Sequence, residues 1–111
     1  MAEIAYEVRL TLGAEKDLQA LYRDLAERRS TAQAETLLDT ILGAIETLEH
    51  FPDRGATPGE LAALGIRDYR QILLSPYRII YRVIGATVFI SLIADGRRDM
   101  QALLERRLLG P

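Results

Sequence analysis

Apolar and polar residues alternate from Ile4 to Leu10, the period-2 signature of a half-buried strand. The period then changes. Leu18, Leu21, Tyr22 and Leu25 fall at i, i+3, i+4 and i+7, one face of a helix running from Gly13 to Arg29. Ser30 and Gln33 have the spacing of a capping box and open a second helix. Its stripe is Ala34, Leu38, Ile41, Ile45 and Leu48, and it stops at Phe51-Pro52, where proline disfavours helix at the preceding residue. The short break at 28–31 between two apolar stripes predicts an antiparallel helical hairpin.

Asp53-Arg54-Gly55 opens a loop, and Thr57-Pro58-Gly59-Glu60 reads as a second capping box starting one helical turn that Gly65 stops. Three apolar strands follow, over 66–74, 77–84 and 87–94, with Ser75-Pro76 and Gly85-Ala86 as the turns between them. Connections this short make the strands antiparallel neighbours. Asp99 can cap a last short helix with Met100, Leu103, Leu104 and Leu108 on its apolar face, ended by Gly110-Pro111. The whole chain, 1–111, reads as one α+β domain: an N-terminal strand, an antiparallel helical hairpin, a three-stranded antiparallel meander and a short C-terminal helix. The hairpin is expected to cover one sheet face and leave the other partly open.

Composition narrows the class. No apolar run approaches the roughly 20 residues of a membrane span, and no leader of secretory type is expected. Cysteine is absent, which excludes disulfides and thiolate chemistry. No cluster of acids or histidines has metal-ligand spacing, so neither metal nor cofactor is expected. A cytoplasmic location fits these features. The net charge of −2 hides an asymmetry: residues 1–65 carry 6 Lys+Arg against 12 Asp+Glu, while residues 66–111 carry 8 against 4. The helical half is acidic and the sheet half basic. A basic face would suit an acidic partner, although a sequence pI of about 5.4 is not that of a dedicated DNA binder.

The candidate chemistry is carried by arginine. Arg78 and Arg82 share a strand face by the period of 2, and Arg97 and Arg98 stand where the last strand ends. These four are the candidate target-binding residues. Arg78 and Arg82 have a plainer reading, as ion-pair partners of acids on neighbouring elements. Arg97 and Arg98 cannot both point into a core, and Asp95 and Asp99 flank them. Tyr77 and Tyr81 read as sheet packing. His50 reads as a helix-end residue, and Arg106 and Arg107 as favourable charges at a helix C-terminus.

Phe51-Pro52-Asp53-Arg54-Gly55 after the hairpin, Tyr77-Arg78-Ile79-Ile80-Tyr81-Arg82-Val83 in the sheet and Gly96-Arg97-Arg98-Asp99 after the last strand resemble the RelE/ParE toxin superfamily. The resemblance covers nearly the whole chain. It implies a toxin of a type II toxin–antitoxin module, acting in growth inhibition and plasmid stabilisation. Its partner would be a small antitoxin with a DNA-binding part, ParD-like or similar. RelE-like members cleave messenger RNA on the ribosome; ParE-like members inhibit DNA gyrase.

The resemblance to RelE-like members implies a catalytic set of Arg67, Arg70, Arg78 and Arg98. Such chemistry needs groups that move protons as well as groups that hold phosphate. The sheet lysines of those members have no counterpart, since the strand reads Tyr69-Arg70-Gln71-Ile72, and Leu104 stands where a tyrosine is expected. Arginine titrates far above neutral pH and is a poor proton shuttle. The ParE-like reading therefore leads, with no catalytic residue, DNA gyrase as target and an antitoxin as partner. The alternatives are the ribosome-dependent nuclease and an inactive relative that only forms the antitoxin complex.

Overall fold

A computed structural model describes residues 5–110. The order is β1 (Glu7–Leu10), α1 (Leu12–Arg28), α2 (Thr31–Glu46), α3 (Gly59–Ala62), β2 (Tyr69–Leu74), β3 (Tyr77–Ile84), β4 (Thr87–Asp95) and α4 (Met100–Leu104). A 3-10 turn, Thr47–Glu49, extends α2, and a π-helical turn, Glu105–Leu109, extends α4. The expected order and the α+β class hold. Ile4, expected in β1, and Pro111, expected to end the last helix, lie outside the described residues.

The four strands form one sheet in the order β1-β4-β3-β2. β2, β3 and β4 make the expected antiparallel meander. β1 adds to its edge in parallel with β4, pairing Val8 with Val88 and Leu10 with Ile90. Thr11 turns the chain from strand to helix. Its N–H donates to the Ile90 carbonyl at 3.0 Å, and its hydroxyl accepts from the Ala14 N–H at 3.2 Å. Ser30 caps α2 as expected, accepting from the Gln33 N–H at 3.1 Å.

The capping box expected at Thr57–Glu60 does not form. Pro58 occupies the N-cap position of α3 with no side-chain cap, and the Glu60 carboxylate turns to Arg78 instead. A local rule lost to a stronger partner from the sheet. β2 also begins at Tyr69, not Ile66.

The expected open sheet face is closed. Ile72, Ile79, Tyr81, Val88, Ile90 and Ile93 pack under the hairpin with Ala14, Ile41, Ile45 and Leu48. On the opposite face Tyr69, Ile80, Leu92 and Ala94 pack with Leu61 of α3 and Met100, Leu103 and Leu104 of α4. Two short helices suffice to bury that face. The register shifts between Ile80 and Tyr81, where Ile80 pairs with Leu92 and Tyr81 with Ile90. Ser91 is the extra residue of this bulge. The bulge flips the alternation of β4, so Ile90 and Ile93 face the hairpin while Leu92 and Ala94 face the short helices.

Candidate functional site

The register settles where the arginines go. Arg78 pairs with Leu73 and Ala94, and Arg82 with Tyr69 and Phe89. Both point to the short-helix face, as the alternation predicts, but they are four residues apart, about 13 Å along the strand. Arg70 pairs with Tyr81 and so points to the hairpin face.

Arg70, Arg78 and Arg82 each have a local partner. The Arg78 guanidinium donates to both Glu60 carboxylate oxygens, at 2.7 and 2.8 Å, and its Nε donates to Gln71 Oε1 at 2.8 Å. The Arg78 side chain is 13% exposed and that of Glu60 26%. Hydrogen bonding from Arg78 holds the Glu60 carboxyl below its ordinary pKa. Arg82 lies over the Tyr69 ring, 5.4 Å from its centroid, within cation–π range. Arg70 donates to the carbonyls of Gly55 at 2.7 Å and Asp53 at 3.1 Å. It therefore fastens the 53–55 loop. Arg67 is exposed ahead of β2.

Arg97 and Arg98 stand at the end of β4. Arg97 Nε and Nη2 close on the Asp95 carboxylate at 2.6–3.2 Å, and its backbone N–H donates to Asp95 Oδ1 at 2.9 Å. These bonds hold the Asp95 carboxyl down to a pKa of about 2 and raise that of Arg97. The Arg97 side chain nevertheless remains 77% exposed. Arg98 is exposed, and its guanidinium has no ion pair among the described residues. Asp99 caps α4, accepting from the Ala102 N–H at 3.1 Å.

Arg78 reaches this loop. A Cβ on Gly96 would stand 2.8 Å from Arg78 Cδ and 3.1 Å from the Pro76 carbonyl oxygen. Glycine there lets the Arg78 stem pass under the Arg97–Arg98 turn. The structure thus gathers Arg78, Arg97 and Arg98 at one end of the sheet and sets Arg82 apart. The set Arg67, Arg70, Arg78 and Arg98 is not brought together, because Arg70 and Arg78 lie on opposite faces. Leu104 is buried in the second core, 1% exposed.

Two anchors, Glu60 and Arg107, escape the sequence reading, while Tyr81 packs in the sheet as expected and its hydroxyl adds a further tie. Tyr81 is buried; its hydroxyl donates to the Pro52 carbonyl at 2.7 Å and accepts from the Gly55 N–H at 3.0 Å. Burial pushes its pKa up. Glu60 was assigned to a cap. Arg107 was assigned to a helix end, yet its guanidinium grips Asp17 of α1 at 2.6 and 3.1 Å. One signal was available for this last pair. Asp17 falls between Ala14 and Leu18 on the apolar face of α1, where a charge needs a partner.

The hairpin has two surface grooves. One, of about 730 Å³, has Leu10, Leu18, Tyr22, Ala26 and Leu38 as its apolar lining and Glu15, Arg23 and Glu27 as its charged groups. The other, of about 590 Å³, lies among Leu25, Leu37, Leu74 and Tyr77 with Thr36 and Thr40. The stripe expected to bury α1 is thus only half covered. Ala14 is the single fully buried residue of α1, and Leu18 and Tyr22 line a groove instead. Among the described residues no helix is long and apolar enough to cross a membrane.

The family model for the ParE toxin of the type II toxin–antitoxin system parDE matches residues 8–100. The chain is similar to Toxin ParE3 of Caulobacter vibrioides, 30% identical over 91 residues, covering 82% of this chain and 87% of that protein. Its fold resembles the chromosomal ParDE toxin–antitoxin system of P. aeruginosa, with a TM-score of 0.70 at 22% identity, covering 85% and 98% of the two chains. It also resembles the toxin–antitoxin complex RelBE2 of Mycobacterium tuberculosis, with a TM-score of 0.61 at 22% identity and coverage of 85% and 94%. A mutant of E. coli toxin RelE in the free state gives 0.61 at 18% identity, with coverage of 89% and 92%. The match over residues 8–100 and the ParE3 likeness make the chain a member of the ParE toxin family of type II toxin–antitoxin systems.

Proposed function

We propose that this toxin acts by binding, that its target is DNA gyrase, and that Arg97 and Arg98 are its principal contacts, with Arg78 behind them and Arg82 at the far end of the same face. The observation that carries this reading is the separation of the arginines. Arg70 is spent on the 53–55 loop, Arg78 is held by Glu60, and the tyrosine opposite Arg70, Tyr81, is buried with its hydroxyl committed to Pro52 and Gly55. What remains is a pair of exposed guanidinium groups on a turn fixed by Asp95 and Asp99. Such a surface grips an acidic partner without chemistry.

A cognate antitoxin neutralises the toxin in this reading. The half-covered apolar stripe of α1 supports it, because an amphipathic helix would complete the burial that the fold leaves half done. The complex would form in the cytoplasm.

The experiment is a double substitution, Arg97→Ala with Arg98→Ala. An exposed ion pair such as Arg97–Asp95 is worth about 0.2–1 kcal/mol to the fold, whereas hydrogen bonds to charged groups on a target are worth roughly 1.5–3 kcal/mol each. The double variant should lose inhibition of gyrase supercoiling while keeping its Tm within a few degrees and its antitoxin complex intact. Full inhibition by the double variant would remove the cluster from the target surface. Transcripts cut within codons on ribosomes, with supercoiling untouched, would establish the nuclease reading. Neither effect from the parent protein would leave a relative that only binds antitoxin.

A further inference from the structure

The Asp17 carboxylate is 14% exposed and receives three donors. Two come from Arg107, at 2.6 and 3.1 Å. The third is the backbone N–H of Ile93, at 3.0 Å. Arg107 Nη1 donates also to the Ser91 carbonyl at 3.2 Å. Ser91 is the extra residue of the β4 bulge, and Ile93 lies beyond Ile90, the last residue of β4 that β1 pairs, so backbone groups on this edge find partners elsewhere. One helix, the bulge and the end of the chain are thus tied at a single point.

The surroundings are fitted to this tie. A Cβ on Gly13 would come within 2.7 Å of Arg107 Nη1, so α1 presents bare backbone where the guanidinium crosses it. Arg107 is the middle residue of Glu105–Leu109, which is π-helical while the preceding turn, Met100–Leu104, is α-helical. π-helical turns are rare and are frequently found at functional sites. Leu109 is exposed, and no residue of this turn is fully buried. Packing alone therefore holds the turn weakly. The Arg107 fork is its strongest attachment.

We infer that Asp17 and Arg107 are positioning residues: their ion pair holds the C-terminal turn, 105–109, in π-helical form against α1 and β4 and so presents it for target contact. The target half of this statement rests on the gyrase reading; the holding half does not. Glu105 and Arg106 point to solvent and are free to take part in that contact.

Three variants test it in the whole 111-residue chain. Arg107→Ala removes the fork. Asp17→Asn removes the charge but leaves an oxygen for the Ile93 N–H. Arg107→Lys keeps the charge and at least one of the two bonds. Amide hydrogen exchange is read by segment, together with gyrase supercoiling and antitoxin affinity. With Arg107→Ala and Asp17→Asn, exchange at 100–109 should accelerate about tenfold or more, as the loss of charge-assisted bonds implies. Exchange in α2 and β3 should stay within about twofold. The toxin concentration for half-inhibition should rise about tenfold, with antitoxin affinity changed less than about threefold. Arg107→Lys should recover part of both the protection and the inhibition.

Unchanged exchange at 100–109 would overturn the holding role. So would acceleration spread evenly over α2 and β3, since the pair would then be a stability contact only. Parent-level inhibition from a loosened segment would overturn the link to the target. If the unmodified toxin does not inhibit gyrase at all, the gyrase reading fails, and the exchange pattern still decides whether the pair holds the turn.

Discussion

Removing Glu60 and Arg78 singly and together isolates what their ion pair contributes. Glu60→Gln keeps shape and one acceptor. Arg78→Met keeps the methylene stem that passes under Gly96. Exposed ion pairs are worth about 0.2–1 kcal/mol, and breaking a fully buried one costs about 3–5 kcal/mol. This pair lies between those limits, with side chains 13% and 26% exposed and two parallel bonds of 2.7 and 2.8 Å. A coupling energy of about 2 kcal/mol is expected from urea unfolding of the four proteins at neutral pH.

The pH dependence gives the same pair a second test. Glu60 titrates lower in the folded protein than its ordinary 4.5. Its contribution is therefore fully present above that value and is lost as pH falls through the folded pKa. The coupling energy should be flat from neutral pH down to about 4.5 and shrink below it. Contributions from other carboxyl groups cancel in the cycle. A coupling under about 0.5 kcal/mol at neutral pH, or one that grows in acid, would refute the assignment of Glu60 as the partner that holds Arg78.

Other outcomes follow from the same geometry. Tyr81→Phe leaves the Pro52 carbonyl and the Gly55 N–H without their partner, and should cost about 2 kcal/mol and lower Tm by roughly 10 °C in a thermal scan. Gly96→Ala forces a Cβ to 2.8 Å from Arg78 Cδ, and should cost about 1–3 kcal/mol in urea unfolding; Arg78→Met should not relieve it, since the stem remains. Asp95, held to about 2 by Arg97, should titrate higher in Arg97→Ala by carboxyl NMR, yet stay below 3.8 because the residue-97 N–H still reaches it. That carboxylate's stabilisation is present above 3.8 and is lost as pH falls through about 2.

The elements were legible because they rest on local signals. Ser30 before an apolar stripe, and three β-rich runs separated by two-residue turns, specify helix and meander without reference to the rest of the chain. β1 was legible as a strand but not in its place, since its parallel pairing with β4 joins residues about 80 apart and leaves no periodic trace. The bulge at Ser91 was hidden for a similar reason. The run Ile90-Ser91-Leu92-Ile93-Ala94, apolar but for one small serine, reads the same whether or not the alternation slips. Glu60 shows the opposite failure. Its spacing from Thr57 satisfied a local rule, and Arg78, 18 residues away, outbid it. Of the site, the face shared by Arg78 and Arg82 followed from period alone. Which arginines stay exposed did not, because that depends on acids supplied by other elements.

With cores on either side of β3 and β4, no open sheet floor remains among the described residues, and in the proposed reading recognition falls to the helical hairpin and the strand ends. The two regions are not independent. Tyr77, which lines the second groove of the hairpin, pairs in register with Asp95, and Asp95 is the residue that holds Arg97. The Pro76 carbonyl beside it accepts from the Gly96 N–H at 2.7 Å. A partner helix or strand seated in that groove therefore passes within one residue pair of the Arg97–Arg98 turn. In the proposed reading this adjacency lets an antitoxin that grips the hairpin also obstruct the target surface, by bulk at its border and without contacting the arginines. Neutralisation then needs no change in the toxin's own conformation.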